Sequence, residues 1–252
     1  MTVLITGGAG FIGSHVTEAL LQRGEQVVCV DNFNDYYSPA RKRRNVAPFL
    51  EQPGYTLYEA DIRDAAAMER IFAAHHPEKV IHIAAMAGVR YSIERAPLYV
   101  DVNVRGTVNL LEAARKHGTR HFVFASTSSV YGRAKEVPFR EDMPTDQPLA
   151  PYPATKKACE ALGYAYHNLF GLSFVALRFF SVYGPRGRPD MMPYLVTERV
   201  FSGETITLYE GGQMHRDWTY IDDIVPGVMA AVDAELGYEV INLCLLYTSD
   251  AA

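Results

Sequence analysis

Cysteine is scarce: Cys29, Cys159 and Cys244 stand far apart in 252 residues, with no CxxC pair and no histidine at metal-ligand spacing. That excludes a disulfide scaffold and a zinc site, and it points to a reducing compartment in which the cysteines act as packing residues. Charge of one sign is not in large excess either. The 24 Lys and Arg against 29 Asp and Glu leave a formal charge of −5, which offers no broad footprint for nucleic acid or an anionic membrane. Long apolar runs are missing as well. The first one, residues 3–6, runs into a glycine cluster and is too short for a signal-peptide core or a membrane span, so the expected location is cytoplasmic. There is no internal repeat and no low-complexity linker.

What is present is a chain that is 48% hydrophobic and 21% charged, the composition of a soluble globular protein. Its length sits near the upper end for one core, so a large domain with a smaller one grown on it is expected. Short apolar runs at 3–6, 27–30, 80–83 and 122–125 read as strands buried on both faces, as in a parallel sheet. Segments 12–22, 64–74 and 98–117 have helical period, and Gly24 and Gly118 follow two of them as stop signals. The alternation predicts an α/β fold, a Rossmann-type doubly wound parallel sheet with right-handed crossovers, through about residue 180. Past Pro185 the pattern loosens into a helical stretch at 191–201, a strand-like 206–209, a Gly211-Gly212 turn and a helix over 221–235. Residues 132–151 form a polar, proline-bearing loop, of a length that often carries function.

Gly7-Gly8-Ala9-Gly10-Phe11-Ile12-Gly13 follows the first strand and leads into a helix. Glycines let a backbone turn tightly against a pyrophosphate, and the helix N-terminus supplies free N–H groups and partial positive charge. A glycine turn that merely joins strand to helix is the plainer alternative. Asp31 closes the second strand 18 residues after Gly13, where a carboxylate bonds ribose hydroxyls and repels a 2′-phosphate, favouring NAD over NADP. The run Arg41-Lys42-Arg43-Arg44 could grip a 2′-phosphate, but it lies ten residues past Asp31 and reads as a solvated helix face. Asp61-Ile62 ends a third strand-like segment, where the acid could meet an adenine edge or belong to the cap of the helix that starts near Asp64.

Tyr152 and Lys156 are four residues apart, on one face of a helix. A tyrosine with a reference pKa near 10 needs about three units of depression, roughly 4 kcal/mol, to serve as a base at neutral pH. A lysine ammonium and an oxidised nicotinamide, each about 5 Å away, would supply about 3 kcal/mol apiece at an effective dielectric near 20. Thr127-Ser128-Ser129 stands at the carboxyl end of the strand at 122–125, where ligands bind in open α/β sheets. Its hydroxyls can bond a substrate hydroxyl or carboxylate, or simply serve the backbone turn.

Taken together, Gly7 to Gly13, Thr127-Ser128-Ser129-Val130-Tyr131-Gly132 and Tyr152-Pro153-Ala154-Thr155-Lys156 resemble the extended short-chain dehydrogenase/reductase family, specifically its nucleotide-sugar epimerases. Within that family, Asp31-Asn32-Phe33-Asn34-Asp35-Tyr36-Tyr37, Ala87-Gly88-Val89-Arg90-Tyr91-Ser92 and the stretch from Arg178 to Asp190 are similar to those of the UDP-glucuronate 4-epimerases. UDP-glucose 4-epimerases usually carry an Asn-Pro segment and Gly-Ala after the corresponding Arg-aromatic-Phe, which this chain does not. The resemblance implies NAD as cofactor, a UDP-sugar as substrate, and a homodimer through the helices at 98–117 and 152–170. It implies that Tyr152 is the base on the sugar 4-hydroxyl, that Lys156 bonds the nicotinamide ribose, and that Thr127 assists Tyr152. Ser128, Ser129 and Ser181 would lie near the C6 carboxylate, with Arg188 and Arg90 on the substrate side and Arg216 on the UDP pyrophosphate. Besides Gly7, Gly10 and Gly13, the resemblance implies NAD contacts from Phe11, Ile12, Asp31, Asn32, Asp61, Ile62, Ala84, Ala85 and Asn103.

Two positions depart from the family's pattern. Ser181 replaces a usual threonine and keeps its hydroxyl, whereas Arg186 replaces a usual tryptophan and changes size and charge beside the substrate. The family's pattern also continues past residue 243, so the expected division is an NAD-binding domain at 1–180, a partial substrate domain at 181–243 and a non-native tail at 244–252. Two rival functions remain at this point. A dehydratase or decarboxylating relative would want acid groups in the 127–130 turn, and a non-catalytic NAD-binding module would have no use for Tyr152 and Lys156 at helical spacing.

Overall fold

The computed structural model describes residues 1–134, 136–207, 212 and 216–245. Its main sheet is built from β1 (Thr2–Thr6), β2 (Gln26–Asp31), β3 (Tyr55–Glu59), β4 (Lys79–His82), β5 (His121–Thr127) and β6 (Ser173–Phe179). A short β7 (Ser181–Tyr183) pairs with β8 (Trp218–Tyr220), and β9 (Tyr238–Leu243) returns to the main sheet. All pairings are parallel, in the order β3-β2-β1-β4-β5-β6-β9. Every residue of β4, β5 and β6 is buried, which is why these strands carry few exposed polar positions.

The helices are α1 (Phe11–Gln22), α2 (Pro39–Val46), α3 (Ala65–His75), α4 (Val89–Ile93), α5 (Ala96–Tyr99), α6 (Gly106–Lys116), α7 (Pro151–Phe170), α8 (Met192–Ser202) and α9 (Ile221–Asp233). They bury the sheet between two apolar layers. On one face Val16 and Leu20 of α1 pack with Ile224, Val228 and Val232 of α9; on the other, Met68 and Phe72 of α3 pack with Leu110 and Leu111 of α6 and Cys159 of α7. Strand order reverses between β1 and β4, so the loops leaving these two strands diverge and open a crevice at the carboxyl edge of the sheet.

The structure adds detail to four of these readings. The helix expected over 98–117 is broken by a π-helical turn, Val100–Arg105, between α5 and α6; the widened turn aims Asn103 inward, as such insertions often do near functional sites. Within the segment 181–243, α9 and β9 pack into the main sheet and its helical layer, and β7, β8 and α8 lie outside that sheet. The cluster at 41–44 is only in part a solvated face, for Arg43 and Arg44 are exposed and Lys42 is not. Lys42 is buried and donates to the Asn34 carbonyl and side-chain oxygens at 2.8 and 2.7 Å, Arg43 pairs with Glu59 at 2.9 Å, and Arg41 stacks on Tyr194 of α8 at 4.6 Å. The Arg186 guanidinium lies 2.9 Å from Glu18 of α1 and 6.0 Å from the Phe49 ring. Residues 208–211, within the expected strand and turn, and 246–252, most of the expected tail, lie outside the described residues.

Helix α7 carries the expected base and lysine, and its seat on the sheet depends on Gly163. A Cβ there would lie 2.2 Å from Cε1 of Phe174, a ring stacked on Phe122 at 5.5 Å and on Tyr238 at 6.1 Å. Neither neighbour leaves that ring room to retreat. Gly163→Ala gains about 1 kcal/mol of helix propensity but overpacks the core at a cost of about 1–3 kcal/mol, so urea unfolding is expected to show a net loss. Unchanged or raised stability would show that α7 can shift on the sheet.

Candidate functional site

The glycine turn is tight for reasons visible atom by atom. Gly7 has φ 72°, and a Cβ on it would lie 2.7 Å from the Ala84 nitrogen, while one on Gly13 would lie 2.1 Å from the Gly7 carbonyl oxygen. Gly10 precedes α1 without any side-chain cap, its own N–H donating to Gly7 at 3.0 Å. The first-turn amides of α1, from Phe11, Ile12 and Gly13, therefore face the crevice at the positive end of the helix dipole. Asp31, at the end of β2, accepts from the Ala9 and Phe33 amides at 3.1 and 2.9 Å, one on each carboxylate oxygen. Burial pushes its carboxyl up from the usual range, and each oxygen keeps a lone pair for a hydroxyl donor.

Further along the crevice, Asn32 donates to Asp61 at 2.9 Å, and Arg63 grips Asp61 through both Nε and Nη2. The hydrogen bonds from Arg63 hold the Asp61 carboxyl down at about 2. Asp64, not Asp61, caps α3, accepting from the Ala67 amide at 2.9 Å. Ile62 is buried against Gly106, and Ala84 and Ala85 line the exit of β4, with Ala84 N–H on the Thr6 carbonyl at 3.1 Å. The Asn103 amide bonds both backbone groups of Met86 and the Thr155 hydroxyl. It joins the β4 exit to α7. The remaining elements, a glycine cradle that admits no Cβ, an uncapped helix start and a carboxylate at the next strand end, fit a dinucleotide with free ribose hydroxyls.

Where β5 ends, Thr127 faces the first turn of α7. Its hydroxyl opposes the rise in the Tyr152 pKa and accepts from the Ser129 amide at 3.2 Å. Ser128 and Ser129 are half-buried in the following 3₁₀ turn, and Ser181 opens β7 beside them, its N–H on the Asp217 carbonyl at 3.1 Å. Arg188 lies near Tyr152 and is held by Asp190. The structure brings these residues together at one strand edge. Arg90 instead is exposed on α4, and Arg216 is exposed just before β8.

The expected pairing of Tyr152 with Lys156 is absent from the protein alone. Lys156 is buried, donates to the Ala125 carbonyl at 2.8 Å and sits 4.7 Å above the Phe124 ring. Burial lowers its pKa to about 8, against the pull of Cys159 and Glu160. Burial also raises the Tyr152 hydroxyl, with Arg188 and then Thr127 opposing it. The lysine's strand-end carbonyl, a partner that spacing cannot reveal, accounts for the difference. Spacing also missed Tyr99, whose hydroxyl donates to Ala87 at 2.6 Å and whose ring meets Tyr152 edge-on at 6.2 Å. It missed the buried pair of Glu160 and Arg178 beneath the site as well.

Without cofactor, then, Tyr152 is a phenol and not a phenolate at neutral pH. Subtracting the ultraviolet titration of Tyr152→Phe from that of the unaltered, cofactor-free protein should show no phenolate at pH 7 and a transition at higher pH than that of an ordinary tyrosine. A Tyr152-dependent phenolate band at pH 7 would contradict this electrostatic picture.

The sequence profile described as "NAD dependent epimerase/dehydratase family" matches residues 3–244. The chain is 48% identical over 236 residues to UDP-glucuronate 4-epimerase 3 of Arabidopsis thaliana, covering 92% of this chain and 55% of that protein. It is 45% identical to a UDP-glucuronate 4-epimerase of Thermodesulfobacterium geofontis, over 95% of this chain and 74% of that one. Among solved structures, the UDP-glucuronic acid 4-epimerase of Bacillus cereus, in complex with UDP-glucuronic acid and NAD, superposes with a TM-score of 0.90 at 36% identity, covering 97% of this chain and 77% of the other. The chain thus spans little more than half the length of the plant relative. With that profile matched over residues 3–244 and the parallel sheet carrying the glycine turn and the helix of Tyr152 and Lys156, the chain belongs to the NAD dependent epimerase/dehydratase family.

Proposed function

We propose that the protein is an NAD-dependent epimerase that inverts C4 of a UDP-sugar, converting UDP-glucuronate to UDP-galacturonate. The observation that carries this reading is the meeting of Tyr152, Thr127 and Arg188 where the strands open beyond the dinucleotide crevice. Bound NAD would supply reversible hydride acceptance at C4. The chain's own residues do the rest. Tyr152, as the phenolate that the positive charges of an oxidised nicotinamide and of Lys156 would favour in the loaded site, takes the proton of the 4-hydroxyl, with Thr127 beside the phenol oxygen. Lys156, with a pKa of about 8 and the Ala125 carbonyl as one partner, keeps further donors for ribose hydroxyls. Ser128, Ser129 and Ser181 offer hydroxyls to the sugar's C6 group. Weak contacts to the ring let the sugar turn over and present its other face, while Arg216 is assigned to the pyrophosphate that stays fixed.

The names of the plant and bacterial relatives support glucuronate as the sugar. The turn at Thr127-Ser128-Ser129 brings hydroxyls where a dehydratase would want acids, and a cofactor-sensing module would not require Tyr152. The free, buried Cys29 and Cys159 suit a reducing cytoplasm. Among the described residues no helix is long and apolar enough to cross a membrane. A homodimer through α6 and α7 is supported by the exposed Tyr164, Leu169 and Phe170 on α7.

The test is NMR of the protein with NAD and UDP-glucuronate, beside a second tube of UDP-glucose. UDP-galacturonate in the first tube alone is expected, and Tyr152→Phe should cut kcat by about 10²–10⁴. Epimerisation of UDP-glucose alone, or full turnover by Tyr152→Phe, would overturn the assignment.

A further inference from the structure

The loop that leaves β4 is tied to the tyrosine assigned as base by two routes. The first runs through the backbone: Asn103 donates to the Met86 carbonyl and to the Thr155 hydroxyl, each at 3.0 Å, and that hydroxyl donates to the Tyr152 carbonyl at 2.7 Å. The second runs through side chains. Tyr99, four residues before Asn103, donates from its hydroxyl to the Ala87 carbonyl at 2.6 Å and to the Gly88 carbonyl at 3.0 Å. Its ring meets the Tyr152 ring edge-on at 6.2 Å. Consecutive residues of one loop, 86 to 88, thus reach both the backbone and the ring of Tyr152 through one helical stretch.

Two neighbouring carbonyls can share one donor only if successive peptide groups face the same way. Gly88 permits this with φ 100°, and a Cβ there would lie 2.7 Å from the Tyr36 hydroxyl. Tyr99 is fully buried, and Tyr91 packs against it at 6.4 Å while meeting Tyr36 edge-on at 4.9 Å. A buried ring tied down at its hydroxyl end and packed against neighbouring rings cannot turn to another rotamer. The Tyr152 ring therefore leans on a fixed wall.

We propose that Tyr99 is a positioning residue, whose ring, locked by the Ala87 and Gly88 carbonyls, holds the Tyr152 ring at the angle from which its oxygen reaches the sugar's 4-hydroxyl. This rests on the C4-epimerase reading. In that reaction the sugar presents first one face and then the other, so the base has to be the fixed partner. The phenol oxygen, at the far end of the ring, travels farthest when the side chain rotates. A displacement of about 1 Å at the reacting atoms costs on the order of 10²-fold in rate. The Tyr99 wall limits that rotation without touching the sugar.

The experiment pairs fluorine NMR of the NAD-loaded protein, labelled with 3-fluorotyrosine, with steady-state kinetics on UDP-glucuronate. The Tyr152 line is assigned by its loss in Tyr152→Phe. Tyr99→Phe keeps the neighbouring ring and removes only its tie to Ala87 and Gly88, so a shifted or broadened Tyr152 line reports movement of Tyr152 and not a lost neighbour. That change is expected, with kcat down about tenfold while KM and NAD affinity stay within about twofold. Tyr99→Leu, which removes the ring, should cut kcat further, by about 10²-fold. An unmoved Tyr152 line in Tyr99→Phe, or a kcat loss matched by an equal loss of NAD affinity, would overturn the proposal. If the unaltered protein does not act on UDP-glucuronate, the C4-epimerase reading fails, and the Tyr152 line alone decides whether Tyr99 holds that ring.

Discussion

One ion pair, buried out of water beneath the candidate site, holds α7, the β5 turn and the last strand in register. Glu160 of α7 and Arg178 of β6 are fully or almost fully buried, joined through Nε and Nη2 to the two carboxylate oxygens at 3.0 and 2.9 Å. Glu160 also accepts from the Ser126 hydroxyl at 2.6 Å, one residue before Thr127. Arg178 donates from Nη1 to the Tyr131 hydroxyl at 2.9 Å, and Tyr131 donates to Asn242 of β9. Helix α7, which carries Tyr152 and Lys156, the β5 turn, which carries Thr127 to Ser129, and the last strand are thereby fastened to one buried charge pair. Burial alone would push the Glu160 carboxyl up; Arg178 and Ser126 hold it below its usual range.

Such a pair costs much desolvation, and its net contribution to stability can be small, but losing one partner leaves an uncompensated charge in the core. Its use here is geometric. Lys156 lies one helical turn before Glu160, and Tyr152 one turn before that, so any rotation of α7 would displace both from the strand edge. The cofactor side is organised by different means, in which the backbone turn of Gly7 to Gly13 and the Asp31 carboxylate fix the crevice by steric exclusion and amide bonds. The two halves meet at Asn103, whose π-helical turn ties the β4 exit to Thr155 on α7.

The parallel sheet and the glycine turn were legible because each has a local cause: unbroken apolar runs in β1, β2, β4 and β5, and glycines that no other residue could replace without collision. Tyr152 and Lys156 were legible through helical spacing. Long-range polar contacts were not. Lys42 reads as one of four exposed cations until the loop after β2 folds over it and buries it on Asn34. The return of β9 to the sheet is invisible in a six-residue strand whose partner, β6, lies more than fifty residues earlier. Lys156 looks paired with Tyr152 until the Ala125 carbonyl, contributed by another element, is seen to take its ammonium.

The most direct measurement of the central claim is urea unfolding of Glu160→Gln, Arg178→Met and the double variant. If the buried pair holds α7, the β5 turn and the last strand as described, each single variant loses about 3–5 kcal/mol and the double variant loses clearly less than the sum, since neither charge is then left unpaired. Single variants within about 0.5 kcal/mol of the unaltered protein, or strictly additive losses, would contradict the account.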